Sequence, residues 1–509
     1  MPGEASCRPD ETTPFHRNMS DPTDPYSEIS YESSAYPQSH PDNLAVVATL
    51  FGMQPRTLEG ARVLEIGCAG GGNLLPLAAA WPGSQFVGID LSPRQIAEAQ
   101  AGVAALQLTN ITFHAMRLEE FGSAFGTFDY IIAHGVYSWV PAPVRDQLMA
   151  LCARLLTPLG VAYVSFNTLP GSGTRATLRE MVKFHTRRAS SPPERVSQAR
   201  SFFTFLDAAL KDRDDGYARS MGEELSQIAR LGDFYIAHEH LEETNEPCYF
   251  HEFIGHAQRQ GLQFVGEAEI QTLSAAGFPA SVREGLRGMA SSIVEAEQYG
   301  DFVRNRAFRQ TLLCRPEIEM KRTIPPDLVQ RFHFVSALQP IHEEGSDGTP
   351  FAGRFRDAEG LEIEVRDPLT RAALLELRAV WPGALSFAAL LEQASARAGL
   401  PAGPPQAALL SSSLLKCYSA SRGMEFQICP RAFYPSVSDF PMAGPLARWQ
   451  AGRGCKVTNQ RHENVLLGPA EKALLGQLDG VRSRLDLEAQ FQEARPILEH
   501  FARVALQVS

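Results

Sequence analysis

A chain of 509 residues exceeds one ordinary domain, and 44% hydrophobic with 21% charged residues is a globular balance that supplies several cores. A formal net charge of −11 argues against general binding to nucleic acid, which needs a basic face. The eight cysteines stand singly with no CxxC, a pattern of reduced thiols and not of disulfides or a zinc cage.

The N-terminus, MPGEASCRPDETTPF, lacks the apolar stretch of a secretory signal, and no run approaches about 18 apolar residues, so a cytoplasmic chain without membrane insertion is expected. Residues 1–22 are rich in Pro, Asp, Glu and Thr and read as a disordered tail. Tyr26 to Pro41 is aromatic and polar, and His40-Pro41 then opens the helical segment DNLAVVATLFGM. An alternation follows. ARVLEIG is a strand, GNLLPLAAAW a helix and SQFVGID a strand; a helix begins at N-cap Ser92 with Pro93 in its first position. NITFHAM and FDYIIAHGV are strands, VRDQLMALCARLL is a helix and GVAYVSFNT is a strand. This order implies a parallel sheet covered on both faces.

After LPGSG the alternation stops, and residues 174–310 read as mostly helical. Residues 340–366 suggest turns and β structure, then three helical patterns and the strand-like MEFQICP suggest a winged helix. The last stretch suggests a second small unit of the same kind. The expected architecture is therefore α/β: a tail over 1–22, a Rossmann-like cofactor domain over 23–172, a helical domain over 173–314, a β segment with a winged-helix-like domain over 315–432, and a small winged-helix-like module over 433–509.

The chemistry concentrates at three strand ends. Val63-Leu64-Glu65-Ile66-Gly67-Cys68-Ala69-Gly70-Gly71-Gly72-Asn73 is a strand running into a glycine-rich turn and a helix, where bare backbone can approach a ligand closely. Val87-Gly88-Ile89-Asp90 places an acid at the end of the next strand, where it can hold ribose hydroxyls. Three readings fit the loop alone: a structural turn, a dinucleotide site of the G-x-A-x-x-G kind, or an S-adenosylmethionine (SAM) site, which wants an acid two residues before the first glycine. Glu65, Asp90 and the element order together favour SAM. The fourth strand ends at Ala133-His134 and leads into Gly135-Val136-Tyr137-Ser138-Trp139, at the edge where ligands of such sheets bind.

HPDNLAVVATLFGM, RVLEIGCAGGGNLLPLA, FVGIDLS, FDYIIAHGVYSWVP, VAYVSFNTLPG, CYFHEF and EQYGDFVRNRAFRQTLLC resemble bacterial class I SAM-dependent methyltransferases with a methyltransferase regulatory domain, some of them rickettsial-type protein-lysine methyltransferases. The resemblance runs from about Tyr26 to Cys314, and VTNQRHENVLL with LLGQLDG resembles that family's final winged-helix-like module. It implies that Gly67, Ala69 and Gly71 line the methionine part of SAM, that Glu65 organises the loop and that Asp90 binds ribose, with Cys68, Asn73 and His134 also at the cofactor. Ala69 stands where a second glycine is usual. Met116 stands near where many such enzymes carry an acid, so Leu91 and Met116 would flank the adenine.

A protein lysine is the acceptor that the resemblance implies. Tyr31, Tyr36, His134, Tyr137 and Trp139 are the candidates for an aromatic methyl-transfer chamber, with Tyr31 and Tyr36 on a lid and His134 as base or polar positioner. For Tyr137 and Trp139, packing under the loop is the competing reading. The alternatives are a small-molecule N- or O-methyltransferase and a SAM-binding regulatory protein without catalysis. A homodimer is the expected assembly. His238, His240, Cys248, His251 and His256 match no zinc spacing, and no metal is expected. Arg187-Arg188 and Arg304 to Arg309 read as solvated or salt-bridged helix faces.

Overall fold

The computed structural model describes residues 33–273, 277–341, 353–431, 433 and 436–508; the expected tail and Tyr31 lie outside them. The described chain forms two compact units, one of residues 181–241 and one of residues 33–180 with 242–508.

The smaller unit is helical. Pro192–Leu210, capped by Ser191, packs on Gly216–Ile228, capped by Asp215, and a short π-helical turn at Ile236–His240 brings His240 edge-on to Phe203 at 5.5 Å.

The larger unit is built on a seven-stranded sheet in the order β3-β2-β1-β4-β5-β7-β6. Its strands are β1 (Arg62–Ile66), β2 (Gln85–Asp90), β3 (Ile111–Ala115), β4 (Phe128–Ala133), β5 (Leu156–Asn167), β6 (Gln263–Glu267) and β7 (Phe308–Cys314). The first five are parallel, and β7 runs antiparallel between β5 and β6. Strands buried on both faces need near-continuous apolar runs, as VLEI and FDYIIA supply. Helices α1 (Pro41–Leu50), α2 (Leu74–Ala80) and α3 (Pro93–Leu106) share one core with Val63, Phe113, Tyr130 and Tyr163; α4 (Ala142–Leu155) and Phe250–Arg259 share the other with Leu64, Ile131 and Phe166. Ser92 caps α3 through the Gln95 amide with Pro93 following it, as the sequence implies.

The sheet passes the boundary expected at residue 172. Its sixth and seventh strands arise within 173–314, the expected helical domain, because FVGE and RQTLLC are short runs whose strand identity rests on partners far away, β5 and each other. In the Arg304 to Arg309 run the salt-bridged alternative holds, but Arg309 sits on a strand and not on a helix face. Arg309 lies on β7, wholly buried, bonded to Glu267, Glu297 and Asp301.

Beyond the sheet, Pro368–Val380, Phe387–Ala398 and Pro404–Ala420 form a third core with strands His333–Ser336 and Met424–Gln427, while a small hairpin pairs Gly353–Arg356 with Glu362–Val365. The final module, with its own core around Leu474, Leu498 and Phe501, carries the hairpin Lys456–Thr458 and Asn464–Leu466.

Candidate functional site

The strand ends of β1, β2 and β4 meet along one edge. At the end of β1, Glu65 is 3% exposed and takes one hydrogen bond, from Asn73 Nδ2 to its Oε1 at 2.8 Å; its Oε2 is buried with no partner in the protein. Burial without a compensating cation pushes its carboxyl up to about 8, against the pull of the Asn73 bond. Such an orphaned acceptor is costly unless a ligand meets it.

The turn after β1 is held by the chain itself. The amides of Gly67 and Cys68 donate to Ile89 O at 2.9 and 3.1 Å. Ala69 is left-handed at φ 46°, and its amide donates to Asp90 Oδ2 at 2.9 Å. Asp90 Oδ1 accepts from the Ser92 amide. Burial raises the Asp90 carboxyl while these amides hold it down. Each carboxylate oxygen carries two lone pairs, so Asp90 keeps acceptor capacity for two hydroxyls. Leu91, 48% exposed, and the half-buried Met116 follow β2 and β3, and the Met116 amide bonds to Asp90 O at 3.0 Å.

Packing within the protein by itself requires these glycines. A Cβ on Gly67 would meet Val136 at 2.7 Å, one on Gly71 would meet Phe113 at 2.7 Å, and one on Gly72 would meet the backbone of Ser33 and Ser34 at 2.7 Å. Gly71 therefore serves close packing of the turn on β3, and Gly72 the approach of the preceding segment. The Cys68 side chain belongs to the core on the α1 face of the sheet, against Gly88, so only its backbone borders the turn. Asn73 bridges instead of facing outward: its Oδ1 accepts from Tyr36 N at 2.9 Å and pairs with His462 Nε2 at 2.7 Å.

Beyond β4, His134 stacks on Tyr36 with ring centroids 3.8 Å apart, and its Nδ1 pairs with Tyr163 OH at 2.9 Å. Phe308 stands edge-on to it at 6.1 Å. Burial lowers the His134 imidazole to about 4. Tyr137 points elsewhere. It is 4% exposed in the α4 core, T-shaped on Phe253, with its hydroxyl at 2.9 Å from His256 Nδ1; it packs under the loop and is not a chamber wall. Trp139 is half-buried, and the Arg179 guanidinium lies over its ring at 5.4 Å. Tyr36 and His134 thus come together, Tyr137 and Trp139 do not join them, and Tyr31 is outside the described residues.

His251 bonds to Gln298, His256 Nδ1 meets the Tyr137 hydroxyl, and His256 Nε2 stands 2.9 Å from Asp146 Oδ1; among the described residues no group of three or more His, Cys, Asp or Glu side chains converges as metal ligands would. Ser33, Ser39, His462 and Asn464 also border this region and were not singled out in the sequence. His462 and Asn464 lie in a string that resembles the family's last module, which is the signal that pointed to them.

Three family models match the chain: a methyltransferase domain over residues 63–160, a predicted methyltransferase regulatory domain over 232–315, and the PKMT C-terminal winged helix domain over 439–496. The uncharacterized protein RP789 of Rickettsia prowazekii is 41% identical over 316 residues, 62% of this chain, and the match spans 57% of that protein's length. RP028 of the same organism is 36% identical over 240 residues, 47% of this chain and 96% of RP028. The structure of PKMT2 from Rickettsia typhi, solved also in complex with AdoHcy, superposes with a TM-score of 0.83 at 27% identity, over 94% of this chain and 100% of that one. The cofactor that this fold implies is S-adenosylmethionine. From the strand order, the turn between Glu65 and Asp90 and these likenesses, the chain belongs to the class I SAM-dependent methyltransferases of the rickettsial PKMT type.

Proposed function

We propose that this protein methylates the side-chain amine of a lysine in a protein substrate. The observation that carries the cofactor part of this reading is Glu65, a buried carboxyl group with one unpartnered oxygen beside the glycine turn, next to the acid that closes β2. This is a cradle for a cation with a polar sugar. Glu65, Gly67, Ala69 and Asp90 would hold the cofactor, with Leu91 and Met116 against its base. When bound, SAM supplies an electrophilic methyl group on a cationic sulfur. The protein acceptor is supported by the likeness to a PKMT structure and to the PKMT winged-helix family.

The side chains beyond β4 then have to align an amine and keep water out. A lysine near its ordinary pKa of about 10.4 must lose a proton first, which costs roughly 4–5 kcal/mol at pH 7. His134, held near 4, is too weak a base to take that proton. It is a neutral positioner, fixed between Tyr36 and Tyr163, and the proton leaves to solvent. The Tyr36 and His134 rings give an uncharged aromatic wall that tolerates a methylated ammonium. With SAM bound, attack by the amine lone pair would form the N–C bond as the S–C bonding pair returned to sulfur.

Incubation of the protein with methyl-labelled SAM and a cell lysate tests this. Label that stays in protein and hydrolyses to methyl-lysine is the expected result. Label only in the small-molecule fraction overturns the protein acceptor, and bound SAM without transfer would favour a regulatory role. Pairing of two copies is a further expectation, checked by sedimentation of the full chain.

A further inference from the structure

The cofactor turn is gripped from behind by the last module of the chain. The tip of the hairpin Lys456–Thr458 and Asn464–Leu466 carries His462, 1% exposed and left-handed at φ 67°. A residue other than glycine is uncommon at positive φ, histidine being one of those that adopt it more readily. Here the tip is over-determined: Asn459 Oδ1 accepts from the amides of Arg461 and Glu463, and Arg461 lies over Trp381 at 4.2 Å while pairing with Glu425 and Glu463.

His462 Nε2 stands 2.7 Å from Asn73 Oδ1. The Tyr36 backbone amide donates to the same oxygen, which fixes the orientation of the Asn73 amide: Oδ1 accepts and Nδ2 donates to Glu65. His462 must therefore be the donor, a neutral ring protonated at Nε2, in keeping with burial that lowers it to about 3. A line of hydrogen bonds runs from His462 through Asn73 to Glu65, across 389 residues between the first two.

A second clamp runs beside it. Asn464 bonds both ways with Ala35, at 3.1 and 2.8 Å, and Lys456 Nζ reaches Ser34 Oγ at 2.8 Å. On its other edge the same segment takes the Gly72 amide on Ser33 Oγ at 2.7 Å and gives the Tyr36 amide to Asn73. Residues 33–36 are thus held between the glycine turn and the hairpin, with Tyr36 stacked on His134.

We propose that the C-terminal module sets the affinity of the SAM site, with His462 as a positioning residue that acts on Glu65 through Asn73 and the hairpin as the second clamp on residues 33–36. The proposal rests on the SAM reading above and deepens it: seating of the last module and retention of the cofactor are one linked equilibrium.

The test uses the full chain and titrates S-adenosylhomocysteine by calorimetry into the wild type, His462→Ala, His462→Gln and Asn464→Ala, with the melting temperature of each. A Gln amide can present a donor where Nε2 stood. His462→Ala is expected to weaken binding about tenfold, and His462→Gln to stay within about threefold of the wild type. The exposed Asn464→Ala is expected to fold normally and to weaken binding about threefold or more. Unchanged affinity in His462→Ala, or a Gln variant as impaired as the Ala one, overturns the proposal. Should His462→Ala fail to fold, Asn464→Ala decides, and wild-type affinity there overturns it. A wild type that binds no S-adenosylhomocysteine defeats the SAM reading instead.

Discussion

Glu65 is caught between two states of the site. Without a ligand, burial keeps its carboxyl near 8, so at pH 7 it is roughly nine-tenths protonated. A cationic ligand beside Oε2 favours the ionised form and releases that proton. Calorimetry in buffers of different ionisation enthalpy is expected to show proton release approaching one per SAM bound at pH 7, vanishing in Glu65→Gln. The stability sign follows from the same shift. The folded value lies above the unfolded value of 4.5, so ionisation of Glu65 destabilises the ligand-free fold, increasingly as pH rises from about 4.5 to about 8. Glu65→Gln is expected to melt higher than the ligand-free wild type at pH 8, with an advantage of up to about 5 kcal/mol that disappears near pH 4.5. A constant difference across that window would show that the carboxyl is not the cause.

Tyr137 belongs to the same scale. Its ring packs on Phe253 and its hydroxyl meets His256, whose other nitrogen stands 2.9 Å from Asp146. Tyr137→Phe is expected to cost about 1 kcal/mol in urea unfolding and to leave SAM affinity unchanged. A loss of cofactor affinity at unaltered stability would return Tyr137 to the site.

Among the elements, β7 is the one that ties the later sequence to the sheet. It enters antiparallel between β5 and β6 and carries Arg309 into a pocket with three carboxylates, with Arg306 on Glu267 as a second cation. Burial alone would raise Glu267, yet Arg309 and Arg306 draw it below its ordinary value. Arg309→Leu leaves buried carboxylates without their main partner and is expected to cost about 3–5 kcal/mol, read as a fall in the urea midpoint or loss of soluble protein. An unchanged midpoint would mean that the network contributes nothing net. The sequence string around Arg304 suggested a solvated or salt-bridged helix face because charge runs usually are one. Only the register Phe166 to Arg309 turns that residue inward.

For the whole molecule, the acidic balance of 58 Asp and Glu against 47 Lys and Arg outweighs the winged-helix match as a guide to nucleic acid. No retardation of duplex DNA is expected in a mobility-shift assay at about 150 mM salt. A shift that strengthens as salt falls with a steep slope would show a phosphate-binding face that the net charge hides.

The sequence by itself determined the sheet's first five strands, the tight glycine turn between Glu65 and Gly72 and the acid that ends β2, because each is a local pattern: an apolar run, a turn that excludes side chains, a cap such as Ser92-Pro93. It also carried the module at the C-terminus as a resemblance. The tertiary structure decided what depends on distant partners. It made β6 and β7 strands, turned Tyr137 into the core and set Tyr36 against His134. It showed that Gly71 yields to Phe113 and Gly72 to Ser33 and Ser34, and it joined His462 to Asn73. Periodicity and spacing report on neighbours along the chain, whereas these contacts bring together residues tens to hundreds of positions apart, and only packing selects them.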